Sequence, residues 1–104
     1  MTDSIAQQRE QSLRELRQIT RAVLCGAPVR VYLFGSWATG TPSQHSDIDL
    51  AIEPLAPLPP GTLALLRERL EESRIPYRVE VVDLGAVDET FREAVIRQGV
   101  LWSD

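Results

Sequence analysis

Apolar residues in the first two dozen positions recur at spacings of three and four. Leu13, Leu16, Thr20, Val23 and Leu24 form one stripe, with arginine and glutamate on the other side. That period predicts an amphipathic helix over residues 4–24. Asp3 or Ser4 would cap its start, and Gly26 with Pro28 would end it. The pattern then changes. Val29 to Phe34 is rich in β-branched and aromatic residues and reads as a strand that stops at Gly35-Ser36. Residues 36–46 are small and polar, a loop that could open with a helical turn. Asp47 to Glu53 alternates polar with apolar positions, which predicts a second strand. Pro54 to Gly61 contains four prolines and reads as a stiff exposed connector. A second helix follows over Thr62–Ser73, with Leu63, Leu66 and Leu70 on one stripe, then a third strand over Pro76–Leu84. Asp88 to Gln98 predicts a third helix capped by Asp88, with Phe91, Ala94 and Val95 facing inward. Gly99 ends it, leaving Val100 to Trp102 as a short closing strand or a packed tail.

One step in this order joins two strands without a long helix between them. That argues for a mixed sheet over a doubly wound parallel one. The expected architecture is α/β of the α+β type: a mixed sheet of three to four strands with helices packed on it, in one domain spanning residues 1–104.

Bulk composition narrows the function classes. Hydrophobic residues at 43% and charged residues at 25% are ordinary for a soluble globular chain. No apolar run approaches the roughly 20 residues of a membrane helix, and the N-terminal stretch does not resemble a signal peptide. A net charge of −4 argues against direct nucleic-acid binding. All 11 basic residues are arginine, which excludes a P-loop lysine or a Schiff base. Cys25, the one cysteine, cannot form a disulfide within the chain; it fits a reducing, cytoplasmic setting and reads as a packing residue.

Chemistry concentrates around Asp47 and Asp49. Residues two apart on a strand point to the same face, so Asp47, Asp49 and Glu53 share one face while Ile48, Leu50 and Ile52 share the other. Two adjacent carboxylates repel, and aspartate is a poor strand former. A bound divalent cation is the simplest compensation, since Mg²⁺ is commonly held by one or two carboxylates plus substrate phosphates. In isolation the pair reads as a turn cap and a solvated strand end. Its context adds Gly35-Ser36, where glycine permits close backbone approach to a phosphate and serine offers a hydroxyl and an N–H. A nucleoside triphosphate with Mg²⁺ needs both features.

Two metals call for a third acid, and Glu80 and Asp83 are the candidates. Tyr77, Val79 and Val81 share one parity and look like partners of Ile48 and Leu50. Glu80 then falls on the face of Asp47 and Asp49, whereas Asp83 has the wrong parity and suits a turn. The parity selects Glu80. His45, the one histidine, reads as a loop residue. Trp37 is either an exposed interface aromatic or a ring packed over the Gly35-Ser36 corner.

Gly35-Ser36, ten residues, then Asp47-Ile48-Asp49 resembles the GS-x10-D-x-D signature of minimal nucleotidyltransferases, within the DNA polymerase β-like nucleotidyltransferase superfamily. Tyr77 to Leu84 looks like that family's third-carboxylate strand, and Phe91 to Trp102 like its closing helix and tail. The resemblance implies that Gly35 and Ser36 contact the triphosphate of ATP. It also implies that Asp47, Asp49 and Glu80 serve catalysis by ligating two Mg²⁺ ions. The family usually carries Asp where this chain has Glu80, a departure that bears on turnover.

A domain this short shows no separate acceptor-binding module. The resemblance implies a helical HEPN-domain partner, paired as toxin to this antitoxin and modified with AMP on a hydroxyl; a self-contained monomer or homodimer is the plain alternative. The Pro54–Gly61 connector reads as a stiff linker, with a partner-facing edge as the other option. The rival function is a catalytically weak or inactive binding module that neutralises its partner by contact. A glycosyltransferase reading of Asp47-x-Asp49 is disfavoured because those enzymes need a much larger domain.

Overall fold

A computed structural model describes residues 2–39 and 47–102. His45 and Ser46 lie outside these residues. Helix α1 spans Thr2–Val23 and strand β1 spans Val29–Phe34. A single turn, α2, covers Ser36–Thr39, and β2 covers Ile48–Pro54. Then come α3 (Thr62–Glu71), β3 (Val79–Asp83), α4 (Glu89–Gln98) and the two-residue β4 (Val100–Leu101). The sheet is mixed, ordered β3-β2-β1-β4. β1 pairs antiparallel with both β2 and β4, and β2 pairs parallel with β3.

The two faces of the sheet follow from strand parity. Val31, Leu33, Ile48, Leu50, Ile52 and Val81 form the face on which Leu16 and Leu24 of the α1 segment and Leu66 and Leu70 of α3 close. Ile48, Leu50, Ile52, Leu16 and Leu66 are wholly excluded from solvent, each contributing on the order of 1.5–3 kcal/mol of burial. The other face carries Tyr32, Ala51 and Val82 and receives Val95 of α4 with Leu84. The small Ala51, fully buried, lets that helix lie close to the sheet.

Several expectations are corrected in detail. α1 starts at Thr2, so Asp3 and Ser4 lie inside its first turn and neither is an N-cap. β3 is shorter than Pro76–Leu84 because its ladder begins where Ile48 pairs with Val79. Asp88 does cap α4, accepting from the Phe91 N–H at 2.8 Å. Phe91 itself is 40% exposed, not inward-facing. Cys25 is exposed, since it lies in the turn after α1 has ended and its side chain leaves the core. Trp37 is buried, its ring set edge-on to Tyr77 with centroids 4.9 Å apart. It fastens α2 to the sheet end and is not an exposed interface aromatic. No helix among the described residues is long and apolar enough to cross a membrane.

Candidate active site

The carboxylates gather at one end of the sheet. Asp47 stands just before β2, and the next residue, Ile48, donates its N–H to the Arg78 carbonyl at 2.9 Å, fixing the start of the strand. Asp49 then falls between two neighbours: Phe34 on β1 and Glu80 on β3. Pairing alone therefore sets Glu80 beside Asp49 on the face that Phe34, Ala51 and Glu53 also share. Asp83 is paired with Ile52 and accepts from the Gly85 N–H at 2.8 Å, an ordinary turn role.

β1 leads directly into the corner. Gly35 has φ of 76°, the left-handed region where a side chain is strained. A Cβ there would overlap Asp49 Oδ2 and stand 3.2 Å from its Cγ. Only glycine lets the chain pass this close to the carboxylate. α2 begins at the next residue, Ser36, and the Ala38 N–H donates back to the Gly35 carbonyl at 3.1 Å.

Electrostatics mark Asp49 as the focus. Burial raises its pKa above the ordinary 3.8, and the negative charges of Glu80 and then Asp47 add to that rise. Asp49 thus feels both other acids across the sheet end. Among the described residues, however, no three His, Cys, Asp or Glu side chains sit tightly enough to hold a metal by themselves. The donor set still suits Mg²⁺: hard carboxylate oxygens, with further ligands left to phosphates and water. A cation here would relieve the repulsion that lifts the Asp49 pKa.

Glu53, placed by parity with the aspartates, serves differently. It is buried, pairs with Arg92 at 2.6 Å and Arg30 at 3.7 Å, and accepts from the Tyr32 hydroxyl at 3.3 Å. This cluster ties α4 to the sheet. The sequence signalled Glu53's face, but nothing local pointed to Arg92, 39 residues away. A second unforeseen feature is the Phe34–Phe91 contact, edge-to-face with centroids 6.2 Å apart.

Comparison with known proteins adds the lineage. The family described as "Polymerase beta, Nucleotidyltransferase" matches residues 10–103. The chain belongs to this family. A protein of Haemophilus influenzae named "Probable protein adenylyltransferase MntA" is 38% identical over 65 residues, 62% of this chain. That match spans 57% of the relative's length. A crystal structure of a toxin–antitoxin with AMP-PNP is similar at a TM-score of 0.65 and 26% identity, covering 85% of this chain and 73% of that one. A mutant MntA–HpeT toxin–antitoxin structure is similar at 0.66 and 28%, covering 86% and 70%. The minimal nucleotidyltransferase fold and the mixed sheet expected from the sequence are those of this family.

Proposed function

We propose that this nucleotidyltransferase moves AMP from ATP to a hydroxyl of a protein partner, in the cytoplasm, as the antitoxin of a pair with a helical HEPN toxin. The observation that carries the reading is the strand register. Asp49 lies between Phe34, which leads into Gly35-Ser36, and Glu80. One sheet end thus offers a phosphate-compatible corner and three acids.

In this reading Gly35 and Ser36 hold the triphosphate, the first by permitting close approach and the second through its hydroxyl and N–H. Asp47 and Asp49, joined by Glu80, would hold two Mg²⁺ ions, which supply charge neutralisation on the phosphates and acidify the attacking hydroxyl. The acceptor oxygen attacks the α-phosphorus, a P–O bond forms, and the bond to the β-phosphate oxygen breaks to release pyrophosphate. Glu80, exposed on the edge strand, would accept the hydroxyl proton. The toxin–antitoxin neighbours and the adenylyltransferase relative support the substrate and partner assignment.

The test is transfer of label from α-labelled ATP to a co-purified partner with Mg²⁺ present. Asp47→Ala combined with Asp49→Ala should abolish labelling by at least about 100-fold, the scale on which removing transition-state electrostatics acts. Full labelling by that variant overturns the mechanism. The looseness of the acid cluster favours one second reading, a binding module that silences its partner by contact. Stoichiometric neutralisation without any label from the unaltered chain would establish it.

A further inference from the structure

Phe91 presents a large apolar ring that is 40% exposed, and it stands against Phe34. Its neighbour Phe34 directly precedes Gly35 and stands opposite Asp49 in the ladder. The two rings meet edge to face at 83°. Such a perpendicular pair fixes one ring by its edge and leaves a face for a third flat group to stack on.

The pair is held in place before any ligand arrives. α4 leaves the β3 end of the sheet and finishes beside β1, where the Gly99 Cα lies so near the Leu33 carbonyl that a Cβ there would stand 3.2 Å from it. Its first turn is pinned twice, by the Asp88 cap at Phe91 and by Arg92 on Glu53. Among the described residues the helix thus covers the Ala51–Glu53 end of this face and does not extend over the Asp49–Glu80 end, with Phe91 beside Phe34 between them.

We propose that the Phe34–Phe91 pair is the seat of the nucleobase at this site. The inference rests on the nucleotidyltransferase reading and assigns a binding residue to it. A nucleotide whose phosphates lie at Gly35-Ser36 has its remaining part, sugar and flat base, to place beside the same corner. Phe34 is the residue adjoining that corner, and Phe91 supplies the open face. Stacking on a phenylalanine tolerates any base and supplies affinity more than base choice.

Titration calorimetry with two probes, Mg–ATP and Mg–tripolyphosphate, tests this on the unaltered chain and on Phe91→Leu and Phe91→Trp. Tripolyphosphate carries no ring and reads the phosphate corner alone. Phe91 is exposed enough for both variants to keep their melting transition. Phe91→Leu should weaken Mg–ATP roughly ten-fold, leaving tripolyphosphate unchanged, and Phe91→Trp should retain ATP affinity. The proposal is overturned if Phe91→Leu binds ATP as tightly as the parent, even if acceptor labelling slows, which would move the ring to the acceptor side. It is likewise overturned if both probes weaken in parallel. Tripolyphosphate that fails to bind while ATP still responds to Phe91 would fault the phosphate corner and keep the ring seat. Absence of ATP binding altogether sinks both.

Discussion

Asp49 carries an electrostatic burden from burial and from two neighbouring acids. Because its carboxyl is half-buried and faces Glu80 and Asp47, the folded protein holds its proton to a higher pH than the unfolded chain does. The stability tied to this group is therefore full below the unfolded pKa and is lost as pH rises through the folded one. Asp49→Asn should raise the melting temperature of EDTA-treated protein by a few degrees at neutral pH. That gain should shrink as the pH is lowered toward about 4, where the unfolded carboxyl also protonates; thermal melts across that range check it. Gly35 sits against the same carboxylate. Gly35→Ala should cost about 1–2 kcal/mol for the left-handed backbone alone, read from urea unfolding. The added methyl also displaces Asp49, so Mg–ATP binding should fall more than stability does.

The elements are joined by contacts of two kinds. On the α1–α3 face the joints are apolar and spread over many leucines, so no single one decides the packing. On the other face α4 adds one charged cluster to the apolar contacts of Val95 and Phe91. Glu53 is almost fully enclosed, whereas Arg92 and Arg30 reach solvent. The two partners should therefore respond unequally to removal. Arg92→Ala strands a buried carboxylate with only the longer Arg30 contact and the Tyr32 hydroxyl, and should cost about 2 kcal/mol. Glu53→Gln leaves an amide whose one oxygen still accepts from Arg92 while its NH2 faces the Tyr32 hydroxyl oxygen, with the arginine's charge open to water, and should cost less. Denaturant melts give the order, and amide exchange in α4 should quicken in the arginine variant first. Trp37 performs the matching task for α2, held against Tyr77 so that the backbone after Gly35 has a fixed course.

At the scale of the whole molecule, none of the described helices covers one corner of the sheet. β1 ends there and β2 and β3 begin there, so a ligand bound at that corner would hold three strands together while the unfolded chain offers it nothing. Mg–ATP at roughly 100 times its Kd should then add about 2.7 kcal/mol of stability. That gain should disappear when the metal is chelated, and should be absent in the Asp47→Ala, Asp49→Ala double variant; a melting curve with and without ligand decides it.

The strands, three of the four helices and the GS-x10-D-x-D spacing could be read from the sequence because each depends on local order. Period two or period three-to-four sets which side of an element a residue occupies, and parity was enough to prefer Glu80 over Asp83. Even the mixed sheet follows from a short strand-to-strand step. Residues distant in sequence had to meet before the remainder was decided. Trp37 became core because Tyr77 arrives just before β3, Glu53 became a clasp because Arg92 returns on α4, and Phe91 stayed exposed because that helix covers only part of the sheet face. A strand's period fixes the face on which a side chain lies, but whether that face is covered depends on which element crosses it, and that is set by packing across the whole chain.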